Sequence, residues 1–296
     1  MRAPGRLLPF AAVAGAGMLG IGTFQQAGAQ QASTPSQQDS GGGAAAENHG
    51  QDFTRPLNPF QVRGEYRTAP GSGSEPGSIR TVNTEEAILR SDLKFDITPQ
   101  WTLALRGDLP FVGKNPITSN NPNGDFVDGL GDADLQAALI KTINARWAAG
   151  AGIRIVAPTG APDITSGKWQ ALPIVGARVM LPELSDGSFF TGLVRYDVSF
   201  AGDPSKRSIS NLQIAPTLNI DLPQHWFITF YPNPDIRINY GDPVTGQSGR
   251  LFLPMDFLVG RDLTKTITLS LEIGVPLIRD YPVYDFKAVT RLNVKF

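Results

Sequence analysis

From Phe60 to the end, apolar and polar residues alternate along the chain with a period of two. Residues 283–296 show it most cleanly. Tyr284, Phe286, Ala288, Thr290, Leu292, Val294 and Phe296 share one face, and Asp285, Lys287, Arg291, Asn293 and Lys295 share the other. Successive side chains of a strand point to opposite faces, so this stretch predicts one apolar wall backed by one charged wall. Upstream, Leu89, Leu93, Phe95 and Ile97 oppose Arg90, Asp92, Lys94 and Asp96, and Trp101, Leu103, Leu105 and Leu109 oppose Thr102, Arg106 and Asp108. Leu135, Ala137 and Leu139 oppose Asp132, Asp134 and Gln136; Ile153 and Ile155 oppose Arg154; Val175, Ala177 and Val179 oppose Gly176 and Arg178. Val194, Tyr196 and Val198 oppose Arg195 and Asp197, and Leu269, Leu271 and Ile273 oppose Ser270 and Glu272. One strand is expected to run from Trp226 past Pro232 and Pro234 to Tyr240. The pattern predicts about twelve strands, an even number as in single-chain bacterial barrels, and no sustained helical period after residue 30.

Alternation alone fits a soluble sandwich as well as an inside-out barrel. Three features favour the barrel. Connections alternate in length: short turns at 98–100, 143–146, 182–187, 222–225 and 262–265, and longer polar loops at 68–77, 113–129, 159–168, 201–207 and 241–249. With the amino terminus inside, every short turn falls on the periplasmic side. Trp101, Trp147 and Trp226 each open a strand after a short turn, which predicts an interfacial aromatic girdle. Strands of about 10–14 residues suit a tilted crossing of hydrocarbon. The expected fold is all-β, a transmembrane antiparallel up-and-down barrel over residues 58–296. A secreted soluble β-protein is the competing architecture.

Ahead of the strands, residues 1–29 read as a signal peptide. Arg2 and Arg6 precede an apolar run, and Ala27, Gly28 and Ala29 offer a cleavage site. Residues 30–57 are rich in Gln, Ser, Gly and Ala without apolar period, and read as a disordered periplasmic tail. Lys+Arg 26 against Asp+Glu 27 gives no electrostatic argument for a nucleic-acid partner. The lack of cysteine excludes a disulfide scaffold, a thiolate metal site and a lipidated N-terminal Cys.

Candidate chemistry sits on the polar face. Folding the strands at their turns sets Arg106 opposite Asp92, Asp108 opposite Arg90, Arg291 near Glu272 and Asp134 near Arg154. With Asp132, Arg178 and Arg195 these residues are expected to line a lumen. They either satisfy a water-filled interior or form a constriction that screens solutes by charge. No catalytic role is expected: the two histidines, His49 and His225, fall in the tail and in a turn. Asn121, Asn123, Asp125, Asp128, Asp132 and Asp134 offer oxygen ligands but lack the spacing and terminal Glu of a calcium loop, so no metal or cofactor is expected.

Gly129-Leu130-Gly131-Asp132 opening one strand, Ala157-Pro158-Thr159-Gly160 ending the next and Trp169-Gln170 opening a third resemble a known barrel family. It is the bacterial outer-membrane family named after the meta-pathway of phenol degradation, and the resemblance spans residues 59–296. It implies a porin-like channel for passive uptake of small molecules, aromatic or hydrophobic ones among them, and supplies no site residues. The terminal Phe296 resembles the carboxy-terminal signal read by the barrel-insertion machinery. The expected partners are that machinery, outer-membrane lipid and a small-molecule solute. A structural or surface-exposed barrel with a closed lumen is the alternative.

Overall fold

A computed structural model describes residues 48–296 apart from 73–78, 117–120 and 244–248. The proposed signal peptide and residues 30–47 lie outside the described residues. Fourteen strand segments form one antiparallel sheet: β1 (Pro59–Ser72), β2 (Ile79–Thr98), β3 (Trp101–Lys114), β4 (Val127–Leu130), β5 (Asp134–Thr142), β6 (Trp147–Val156), β7 (Lys168–Met180), β8 (Phe189–Gly202), β9 (Ser210–Leu222), β10 (Trp226–Phe230), β11 (Ile236–Asn239), β12 (Leu251–Asp262), β13 (Ile267–Arg279) and β14 (Phe286–Lys295). β4 and β5 both pair with β3, and β10 and β11 both lie between β9 and β12, so each couple is one stave interrupted. β1 pairs with β14 from Pro59↔Lys295 to Thr68↔Phe286, which closes a barrel of twelve staves. Closure leaves no free edge, the condition for a sheet in contact with lipid.

Alternation sorts the side chains as the pattern predicts. On β13, Leu269, Leu271 and Ile273 are 42–45 % exposed outward, whereas Thr268, Ser270 and Glu272 point inward and are at most 2 % exposed. An apolar belt exposed around a whole barrel is stable only in an apolar solvent. Trp101, Trp147 and Trp226 open β3, β6 and β10 at one rim, the turn rim. The Lys141 amine lies over Trp101 and the Arg261 guanidinium over Trp226, each 5.3 Å from the ring centre. Phe296 follows β14 at the same rim and is 85 % exposed.

Three expectations about segments are corrected. Of the loop placed at 68–77, residues 68–72 are strand and the rest lie outside the described residues: β1 and β2 stay paired from Thr68↔Asn83 to Ser72↔Ile79, because backbone pairing there needs no apolar period. The strand expected to run through Pro232 and Pro234 breaks at 231–235, since neither proline can donate to a ladder. Tyr231 takes φ 49°, its N–H reaches Asp256 O at 3.0 Å, and its carbonyl accepts from Thr217 Oγ1 at 2.6 Å.

The third correction concerns the tail. Residues 48–58 pack against the inner wall of the barrel from the turn rim. The Lys295 amine donates to Asn48 O at 3.0 Å, the Arg178 guanidinium to Asp52 at 3.2 Å, and His49, Asp52 and Thr54 are buried. Low hydropathy predicted disorder because a single chain in water cannot offset its ordering entropy. Inside a polar barrel, charged partners supply that energy instead.

Candidate functional site: the charged lumen

The inner wall of β1–β3, β5 and β6 carries ion pairs fixed by strand register. Arg90 and Asp108 are direct cross-strand partners, as are Asp92 and Arg106. Both pairs are two-pronged: Arg90 reaches the two Asp108 oxygens at 2.6 and 2.5 Å, and Arg106 reaches those of Asp92 at 2.6 and 2.9 Å. A guanidinium fork matched to a carboxylate is the strongest form of such a contact. Arg154 ties to Gln136 at 3.0 Å and lies 3.5 Å from Asp134, and Arg291 donates to Glu272 across β13–β14. All four pairs anticipated from turn arithmetic form.

A second cluster was not legible in the pattern. The interruption at 231–235 turns Asn233 and Asp235 into the lumen. Asn233 Nδ2 donates to both Glu272 oxygens at 2.9 and 3.0 Å. Lys287 donates to Asp235, lies 2.6 Å from Glu272 and 3.2 Å from Asp256, and sits 5.0 Å over the Tyr284 ring. Asp235, Asp256 and Glu272 are the one group of three converging acidic ligands among the described residues, and the Lys287 amine already fills the cation position. The available signal was the Pro-Asn-Pro-Asp stretch inside a strand.

The turn end of the lumen is filled by apolar side chains and by the 48–58 segment. Ile140, Ala148, Met180, Phe189, Phe227 and Leu258 all point inward there and are buried, so the inner face is only partly charged. Against them lies the 48–58 segment. His49 stacks on Phe227 with centroids 4.4 Å apart, its Nδ1 lies 2.8 Å from Asp262 and its Nε2 3.2 Å from Asp221. Burial opposes a charge on the ring, but the two carboxylates outweigh it and push its pKa up to about 9. Phe53 rests on Gly150 and Gly176; a Cβ at Gly176 would lie 2.6 Å from its ring, so glycine makes that seat. Above the segment a cavity of about 370 Å³ is lined by the ladder, by Lys287 and by Arg195, and Arg67, Glu86 and Val283 also line a second cavity of about 310 Å³.

No family model matches the sequence, and no curated protein matches it. Solved structures do. The COG4313 outer membrane channel from Pseudomonas putida F1 aligns at a TM-score of 0.63 and 18 % identity, over 82 % of this chain and 97 % of its own. The chain shares that channel's barrel fold. The KdgM porin aligns at a TM-score of 0.44 and 10 % identity over 80 % and 99 % of the two chains. The Ralstonia pickettii toluene transporter TbuX does so at 0.44 and 9 % over 82 % and 90 %.

In this barrel three anticipated lumen residues stand away from the ladder. Asp132 lies in the break between β4 and β5 at the loop rim. It accepts hydrogen bonds from Gly160 N at 3.1 Å, Thr165 Oγ1 at 2.5 Å, and Ser166 N and Oγ at 2.8 and 2.7 Å, so it secures the 159–168 loop. Arg178 faces the turn end and holds Asp52. Arg195 lines the cavity and donates to Gln213 at 3.1 Å. In the oxygen-rich 121–125 stretch the Asn121 side chain spans a turn, donating to Pro116 O and Asp125 O at 2.8 Å and accepting from Asp125 N at 3.0 Å.

Proposed function

We propose that this chain is a channel of the bacterial outer membrane for passive uptake of small molecules, with its periplasmic mouth closed by residues 48–58. The observation that carries the reading is the combination of an apolar belt outside with a charged, roomy cavity inside one closed barrel. Short turns and both barrel ends of the chain share one rim, which supports a periplasmic turn side and an external loop side. The resemblance to the meta-pathway family supports aromatic or hydrophobic solutes.

A structural barrel with a permanently closed lumen is the second reading, and the seated 48–58 segment favours it. Planar-bilayer recording of the full chain decides between them, alongside a His49→Gln/Asp52→Ala variant that loses two anchors. Rare or small steps in the native chain that become frequent in the variant support the channel. Silence from both, in heat-modifiable folded protein, leaves the structural barrel. Recovery of the chain in the aqueous fraction without detergent would overturn both.

A further inference from the structure

We propose that the lumen cavity binds a small organic anion, its carboxylate held by Arg63 and Arg291. This rests on the channel reading and adds the class of solute. Arg63 on β1 and Arg291 on β14 are direct cross-strand partners, both pointing inward and both at most 8 % exposed. Like charges placed opposite each other repel, so the pair needs an anion nearby. Arg291 shares Glu272 with Lys287 and Asn233. Arg63 has no carboxylate within ion-pair reach among the described residues; its one side-chain contact is a long 3.4 Å bond to Gln61 Oε1. The neighbouring acids are committed elsewhere: Asp108 to Arg90 by two bonds, and Glu65 to Arg67 at 2.9 Å.

Two buried N–H groups, Arg63 Nε and Arg291 Nη1, have no acceptor among the described residues. Buried donors in this position ask for one, and a planar carboxylate is the group a guanidinium fork fits. Both arginines line the 370 Å³ cavity. Its walls carry eleven Lys and Arg side chains against seven carboxylates. Adding Asp256 and Glu272, which stand just behind the surface, leaves the excess positive. Arg195 repeats the situation from β8, half-way round the barrel, with Gln213 as its side-chain partner and no carboxylate in ion-pair reach among the described residues. Between these poles Ile88, Ile174 and Leu193 offer apolar surface for the body of the solute. The second cavity, which shares Arg67, Glu86 and Val283 with this one, leads from it toward the loop rim.

The test is calorimetric titration of the full chain in detergent with benzoate and with benzamide, which has the same shape and no charge. Benzoate is expected to bind saturably and at least roughly tenfold more tightly than benzamide, a difference of one decade for a charge-assisted pair. Arg63→Gln is expected to remove that preference while the barrel stays heat-modifiable. Equal binding of the two probes, no binding of benzoate, or an undiminished preference in Arg63→Gln each overturns the proposal. Should Arg63→Gln fail to fold, the benzoate–benzamide ratio in the native chain decides alone. Binding is read without transport. A bilayer-silent protein that prefers benzoate sinks the channel reading only, and a conducting protein that does not sinks this inference only.

Discussion

His49 is the anchor whose strength can be dialled by pH. Its ring stacks on Phe227 while its two nitrogens face Asp221 and Asp262, and its pKa rises from 6.5 to about 9. A raised histidine pKa stabilises the seated state fully below about pH 6.5 and loses that contribution as pH climbs through about 9. The rise corresponds to ~3 kcal/mol of proton-linked anchoring, roughly two orders of magnitude in the seated-to-released ratio. His49 is only 4 % exposed, so solvent screening takes little from that figure. Other anchors do not involve the imidazole, notably Asp52 with Arg178 and Asn48 with Lys295. The expected result is therefore loosening, with the barrel intact. The chain has no cysteine, so Gln51→Cys gives one spin-label site on the segment. Its spectrum should be immobile at pH 6–7 and gain a mobile component with a midpoint near pH 9. In a His49→Gln background the mobile component should be present at every pH. A label that stays immobile to pH 10.5 in both backgrounds would refute the latch.

Other outcomes follow from the same geometry. Leu271→Arg puts a cation on the outer belt at mid-strand and should cost ~2–4 kcal/mol in lipid refolding titrations. An inward cation is not harmless where the ladder is already basic: Gln136→Lys should also destabilise in the same assay, because Gln136 accepts from Arg154 and faces Arg106 directly across the ladder. Ser270→Arg should do the same: its site is 2 % exposed and faces Arg291 directly across the ladder. Removing one partner of Arg90–Asp108 should destabilise by about 3–5 kcal/mol, and removing both should cost less than either single change, read by a double-mutant cycle. Tags at Asn121 and at position 245 should be reachable on intact cells and one at Asp186 should not; the reverse pattern would invert the assigned orientation.

Much of the barrel was legible in one dimension, for a physical reason. A strand has a period of two, and a barrel in lipid must put apolar residues on one side of every strand. Leu269, Leu271 and Ile273 could therefore be placed outward, and Ser270 and Glu272 inward, from order alone. Register across a tight turn is also local, so Arg90–Asp108 and Arg106–Asp92 could be paired by counting. What order could not supply was anything joined across the lumen. Lys287 meets Asp235 52 positions away, and Arg178 meets Asp52 126 positions away, only because the sheet closes on itself. The polar segment around His49 looked like a tail because its partners, Asp221, Phe227 and Asp262, lie on staves far along the chain. Arg63 looked like one more charged inward residue. Only the closed barrel shows that every carboxylate near it is already taken.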